Sequence, residues 1–411
     1  MASMRIVSPD QLVAQLSLLD GAPRVVMSGN AAMPAAGMAA VDAAFPAYTL
    51  HMLNAPAGIP TRDGVVAETA FVGPGMRSHP GLSYLPCRLS MVPVLLHHVI
   101  PPDIVVIQCA PPRDGHLSLG VEVNILPAAI DGCRGRSGRV VAVINDRMPF
   151  TFGDALIPTS HVDLAIEVSE PLPEHPAREL DDDSRRIGEL VVSRLDDRVT
   201  LQMGIGAVPD ATVLALRDKR DLRIWTEMFS DCVLGLDQAG ALDPNHPITT
   251  SFAFGTAELY EWIHDNHRVR FMRTEHTNDP GTIARQRAMT SVNTALEVDL
   301  FGQANASRIG DRIYSGFGGQ TDFIVGAMHA PHGQAFIALK SWHPKANCST
   351  IVPKLDEQVT SFQQSAIVTE QGVAELWGYD QRRQARHMIR DAAHPDVKDA
   401  LWEAAAGFGL A

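Results

Sequence analysis

A chain of 411 residues is longer than one ordinary hydrophobic core accommodates, so two α/β domains, or two fused halves of similar size, are expected. With 45% hydrophobic and 20% charged residues, and glycine and proline scattered rather than massed, the composition excludes a disordered or fibrous chain beyond the termini. A formal charge of −13 argues against a surface built on clustered Lys and Arg for nucleic acid or an anionic membrane, so an anionic substrate has to be gripped locally.

In chain order, the first segment, MASMRIVSPDQLVAQLSLLD, carries Asp10 and Asp20 and has no unbroken apolar run. It reads as an amphipathic first helix rather than a signal peptide. Short β-rich runs follow between helical patterns: Arg24–Ser28, Ile104–Ala110, Arg139–Asn145 and Val162–Val168. Near-continuous apolar strands of this kind predict parallel sheet covered by helices on both faces. From Leu180 to Leu195 the pattern turns helical, with Ile187, Leu190, Val191 and Leu195 on one face and the acidic run Asp181–Asp183 at the helix start, where the dipole favours it. The boundary between halves is expected beside this helix.

The second half opens with a strand–turn–helix–strand unit: TLQMG, IGAV, PDATVLALRD and LRIWTEM. Pro209 suits a first helical turn, and the glycines before it suit a tight turn at a strand's carboxyl end. Further strands are expected at Ile248–Phe254, Val269–Arg273, Phe336–Leu339 and Ala366–Thr369, and helices at Thr256–His264, Gln381–Arg390 and Pro395–Ala405. Tyr260 and Trp262 sit at helical spacing with Leu259 and Ile263, which reads as core packing. No run of eighteen apolar residues occurs, so no membrane span is expected. The five cysteines (Cys87, Cys109, Cys133, Cys232 and Cys348) form an odd set without C-x-x-C spacing and read as reduced structural thiols of a cytoplasmic protein. His387 and His394 lie seven positions apart with no third ligand nearby, so no metal site is expected.

The G-x-S-x-G elbow, the G-x-x-x-x-G-K-[ST] loop and H-E-x-x-H are absent. The remaining chemistry lies in two glycine-bearing turns, LQMGIGAVPD (Leu201–Asp210) and YSGFGGQTDF (Tyr314–Phe323), and two carboxylate motifs, WTEMFSD (Trp225–Asp231) and NTALEVDLFGQ (Asn293–Gln303). Glycine turns let backbone N–H groups approach a pyrophosphate or an oxyanion without an intervening Cβ.

Taken together, LQMGIGAVPDA, TEMFSD, SFAFGTAELYEWI, SVNTALEVDLFGQANASRIG, SGFGGQTDFIVGA, STIVPKL, IVTEQGVAELWG and AAHPD resemble the acetyl-CoA hydrolase/transferase family, which includes 4-hydroxybutyrate and succinyl-CoA:acetate CoA-transferases. PPDIVVIQCAPPRDGHLSLG, INDRMPFTFGD and HVDLAIEVSEPLPE extend the resemblance upstream to about Val25. It implies an α/β fold of two open CoA-transferase-type (NagB/RpiA-like) domains with the active site in the cleft between them. These are expected at residues 1–193 and 194–411, the second carrying the nucleophile and the CoA-binding loops. It implies Glu227 as the nucleophile, forming a glutamyl-CoA thioester, with CoA contacts from Gly204, Ile205, Gly206, Ala207, Val208, Asn278, Ser315, Gly319 and Lys340. Coenzyme A and acyl-CoA are then substrates, with no tightly bound cofactor and no metal. The partners are an acyl-CoA, a short-chain carboxylate such as acetate and a second copy of the chain in a homodimer or larger homo-oligomer, with no nucleic acid and no membrane.

The chemistry fits a glutamate. With an ordinary pKa of about 4.3 it is ionised at neutral pH and attacks a thioester without a general base. The rival carboxylates Glu297 and Asp299 share one strand face by their spacing of two and read as structural. An acyl-CoA hydrolase on the same scaffold, or a silent acyl-CoA binding protein, are the alternative readings. Four departures from the family pattern bear on the acceptor. Trp225 replaces a histidine, Cys232 a glycine, Trp377 the arginine of L-R-G, and VTSFQ (359–363) a V-T-T-P-R-like stretch.

Overall fold

The computed structural model describes residues 4–176, 179–204, 206–357, 359 and 361–411, and they form two compact α/β units. The first comprises the chain up to His175 with Ile248–Thr277 and Tyr314–Gly318; the second comprises Pro176–Pro247, Asn278–Ile313 and Gly319–Ala411. The division expected at residues 193 and 194 follows chain order, whereas these units are interleaved. Interleaving follows from pairing: the strand Val269–Phe271 lies parallel to both Ile248–Thr250 and Phe152–Gly153, which ties a later segment to the first unit.

The first unit is built on a sheet in the order Arg5–Ile6, Leu164–Val168, Arg139–Asn145, Ile104–Arg113, Arg24–Met27, Tyr48–His51, Val65–Thr69 and Leu82–Tyr84. Every neighbouring pair along it is parallel. Ile104, Val105, Val106, Ile107 and Cys109 have no exposed surface, as a doubly covered strand requires. Tyr48–His51 and Val65–Thr69 were not anticipated as strands because they carry His51 and Glu68, which interrupt an apolar run. The pair is buried together: His51 Nδ1 lies 3.0 Å from Glu68 Oε1 and Arg24 reaches Oε2 at 3.3 Å. Burial alone raises the Glu68 pKa, but the hydrogen bond and charge of His51, with Arg24, outweigh it and hold the carboxyl below its ordinary range.

The second unit has a six-stranded sheet in the order Arg223–Ile224, Thr200–Met203, Met289–Asn293, Gln334–Ala338, Ala366–Thr369 and Gly372–Glu375. All but the last pair are parallel. The anticipated helix at its start spans Asp182–Val192, capped by Asp181, whose side chain accepts from Ser184 N at 2.9 Å. Ile187 and Val191 are fully buried on its inner face. A Cβ on Gly188 would stand 2.7 Å from the backbone of Ala211, so this helix lies directly on Ala207–Ala215. The core gathers Phe323, Ile337, Ile367, Met388 and Leu401, and each such side chain contributes roughly 1.5–3 kcal/mol.

The later elements fall where periodicity put them, with shifted ends: Ala257–Ile263, Gln381–His387 and Lys398–Gly407 as helices, Gln334–Ala338 and Ala366–Thr369 as strands. Leu259 and Ile263 are fully buried, and Tyr260 OH donates to Pro173 O at 2.8 Å. No helix among the described residues is long and apolar enough to cross a membrane.

Candidate active site

In the second unit, the carboxylate motif lies where the edge strand Arg223–Ile224 runs out. Trp225 N donates to Leu201 O at 3.1 Å, so pairing with the neighbouring strand continues one residue further. Thr226 is buried, and its hydroxyl lies 2.9 Å from Met228 O and 3.3 Å from Met203 O, which fixes the bend carrying Glu227. Trp225 itself is partly buried and packs on the unit's hydrophobic core. Cys232 Sγ donates to Asp210 Oδ1 at 2.9 Å; burial and the acidic neighbours push its thiol up to about 12, so it is no nucleophile at neutral pH.

Three of the anticipated residues converge. Asn278, fully buried, donates from Nδ2 to Oε2 of Glu227 at 2.8 Å. Gly319 lies against both: a Cβ there would stand 1.8 Å from Glu227 Oε2 and 2.3 Å from Asn278 Nδ2. Gly319 also caps the ten-residue helix Gln320–His329, so a helix N-terminus begins beside the carboxylate.

The electrostatics correct one expectation. Glu227 does not keep an ordinary pKa: loss of hydration pushes it up to about 7, against the hydrogen bond from Asn278 and with further repulsion from Asp322. Asp322 is fully buried in the first turn of Gln320–His329, and its place in the sequence, an acid three residues after Gly319 in the glycine turn YSGFGGQTDF, is the signal for it.

The glycine turn LQMGIGAVPD leads into the helix Ala207–Ala215, with Pro209 in its first turn as expected. Gly206 has φ +120° and ψ 177°, a conformation confined to glycine, and neither it nor Gly204 has anything within 4 Å of a built Cβ. Among the described residues no side chain caps this helix, which leaves the amides of Ala207 and Val208 for other acceptors. Ile205 lies outside the described residues. Lys340 Nζ pairs with Asp181 and lies 3.9 Å from Asp183, at the start of the helix Asp182–Val192. Ser315 belongs to the first unit, where its carbonyl accepts from Val72 N at 2.9 Å.

Of the rival carboxylates, Asp299 has structural work. Asp299 Oδ1 accepts from the amides of Phe301 and Gln303 and Oδ2 from Leu355, which makes it a loop clamp. Burial, with Glu357 and Asp356 nearby, raises the Glu297 pKa. His387 meets Glu375 O at 2.7 Å, and His394 accepts from Asp396 N at 3.3 Å. No group of three or more metal-ligating side chains occurs among the described residues.

Two family models match the chain: the acetyl-CoA hydrolase/transferase N-terminal domain over residues 66–173 and its C-terminal domain over residues 255–405. A 4-hydroxybutyrate coenzyme A transferase from Clostridium kluyveri is 36% identical over 371 residues, 86% of this chain and 85% of that protein. A succinyl-CoA:acetate/propanoyl-CoA:succinate CoA transferase from Fasciola hepatica is 36% identical over 78% of this chain and 69% of its own length. Among solved structures, RipA from Yersinia pestis matches with a TM-score of 0.92 at 27% identity, over 99% of this chain and 98% of that one.

Proposed function

This chain belongs to the acetyl-CoA hydrolase/transferase family, and from that premise we propose that it moves coenzyme A between an acyl-CoA and a short-chain carboxylate, with Glu227 as the nucleophile. The observation that carries the reading is the carboxylate of Glu227 fixed by Asn278 at 2.8 Å beside the backbone of Gly319. A carboxylate so held is oriented for attack, and its low hydration raises its nucleophilicity once ionised.

In the first half-reaction, an oxygen of Glu227 attacks the thioester carbonyl. The C–S bond breaks, giving an acyl-glutamyl anhydride and CoA thiolate. The thiolate then attacks the glutamyl carbonyl, the anhydride C–O bond breaks, and the first carboxylate leaves a glutamyl-CoA thioester. An incoming carboxylate runs the two steps in reverse. Backbone amides at the glycine turns suit the oxyanions of these intermediates, and one such donor is worth roughly 2.7–4 kcal/mol elsewhere. The uncapped start of the helix Ala207–Ala215 suits the CoA pyrophosphate.

The test is to incubate the protein with acetyl-CoA, quench, and weigh the peptides. A CoA-sized adduct on the Glu227 peptide that a carboxylate discharges faster than water supports the transferase. An unmodified Glu227 peptide under turnover conditions sinks the assignment.

A further inference from the structure

In the sheet of the first unit, the chain runs from Arg24–Met27 outward through Tyr48–His51, Val65–Thr69 and Leu82–Tyr84. It then returns to lay Ile104–Arg113 on the other side of Arg24–Met27. The strand order therefore reverses between Arg24–Met27 and Ile104–Arg113. In open parallel sheets, ligands are held by the loops beyond the strand ends at such a reversal.

A polar network is built there. Glu122, 2% exposed, turns Oε1 to the loop that leaves Arg24–Met27 and accepts from Gly29 N at 3.0 Å, Asn30 Nδ2 at 3.2 Å and Asn124 Nδ2 at 2.9 Å. Oδ1 of Asn124 accepts from Ile125 N, which fixes the direction of that amide. A Cβ on Gly29 would stand 2.0 Å from Leu53 O, so the loop is pressed against the one that leaves Tyr48–His51. Across this close approach Asn54 Nδ2 donates to Asn30 Oδ1 at 2.7 Å. Both asparagines are partly buried and left-handed, with φ +41° at Asn30 and +46° at Asn54, a conformation that asparagine tolerates better than most residues.

Glu122 sets the direction of the whole chain of amides. With three donors on Oε1, a proton taken up by the carboxyl sits on Oε2, so Oε1 accepts in both ionisation states. Asn30 therefore donates with Nδ2 and accepts with Oδ1, and Asn54 donates inward. Asn54 Oδ1 is left as an acceptor: no described residue donates to it, and it is not sealed in the interior as Glu122 Oε2 is.

We propose that Asn54 is a substrate contact of the first unit, its Oδ1 accepting from an amide N–H of the pantetheine arm of the acyl-CoA, with Asn30 and Glu122 as the positioning residues that aim it. The contact rests on the acyl-CoA reading given above. A neutral acceptor backed by a buried carboxyl suits the uncharged amide chain of the coenzyme and disfavours its phosphates.

Isothermal titration of the whole protein with coenzyme A, with saturation-transfer NMR of the bound coenzyme, tests the proposal. Asn54→Gly removes the amide and accepts the left-handed backbone; it is expected to weaken coenzyme A roughly three- to tenfold, the worth of one hydrogen bond. In the NMR experiment, saturation of the pantetheine protons falls relative to that of the adenine protons. Glu122→Leu, which frees the amides to turn, gives the same loss, and Glu122→Gln, which keeps an acceptor at Oε1, recovers most of it. Unchanged affinity in Asn54→Gly overturns the contact alone, as does a loss shared equally by the pantetheine and adenine signals. No binding of coenzyme A by the unaltered protein overturns the acyl-CoA reading and this contact with it.

Discussion

A methyl group on Gly319 would stand 1.8 Å from Oε2 of Glu227, so the carboxylate occupies space that only glycine leaves open. The backbone here is not left-handed, with φ −93°, so the requirement is for room and not for an unusual turn. Gly319→Ala is therefore expected to fold and to displace both Glu227 and Asn278. A misplacement of about 1 Å costs on the order of 10²-fold in rate. Steady-state turnover beside circular dichroism of the same sample checks this; full activity in the alanine variant would show that the close approach has no bearing on chemistry.

The raised pKa of Glu227 sets a pH dependence. In the proposed role the attacking form is the anion, so kcat/KM is expected to climb with pH along a limb centred near 7, falling roughly tenfold per unit below it. Asp322 adds repulsion that favours the neutral acid, so Asp322→Asn should move the limb to lower pH. The position of the limb is the readout, because a loss of folded protein lowers the plateau without moving it. A limb near 4.5 in the unaltered protein would mean that Glu227 is better hydrated than its burial indicates.

The same shift is a statement about stability. A carboxyl whose folded pKa is raised from 4.5 to about 7 contributes nothing adverse below about 4.5, where both states are protonated. The unfolded chain ionises first, so stability is lost progressively as pH rises from about 4.5 to about 7, reaching about 3 kcal/mol, and falls no further above that. Glu227→Gln removes this penalty. Its melting temperature should exceed that of the unaltered protein at pH 8, with the gap closing by pH 5, while transfer is abolished. Glu122, in the first unit, follows the same sign: burial pushes it up to about 7 despite donors from Gly29, Asn30 and Asn124. Thermal melts of each glutamine variant across this range decide the matter.

What the sequence revealed and what it hid follow from the range of the interactions. Strands such as Ile104–Arg113 and Arg139–Asn145 were legible because burial on both faces writes itself as a continuous apolar run. Glu227 was singled out through its motif. Its pKa was not legible, because burial raises it only once the chain has folded around it, and the groups that then adjust it, the Asn278 amide and the Asp322 charge, are 51 and 95 positions away in the chain. Tyr48–His51 was missed for a similar reason: His51 is accommodated in the buried strand by Glu68, which Arg24 also reaches, and neither partner is local to it in the chain. The interleaved units were hidden because the parallel partners of Phe152–Gly153 arrive more than a hundred residues later.

Gly206 tests the other glycine turn by a different physical route. Nothing lies within 4 Å of a Cβ built there, so an alanine meets no obstacle, but φ +120° with ψ 177° is strained for any L residue by about 1–3 kcal/mol. Gly206→Ala should therefore relieve its strain by rotating the turn, which re-aims the amides of Ala207 and Val208 at the start of the helix Ala207–Ala215. If those amides bind the CoA pyrophosphate, KM for the acyl-CoA rises several-fold or more, while kcat at saturation falls less, because the Glu227–Asn278 contact lies outside this turn. A uniform loss of kcat with KM unchanged would assign the turn to the chemical step instead. Isothermal titration with desulfo-CoA, which keeps the pyrophosphate and lacks the thiol, separates the two: its affinity falls in the alanine variant only where the turn holds the nucleotide.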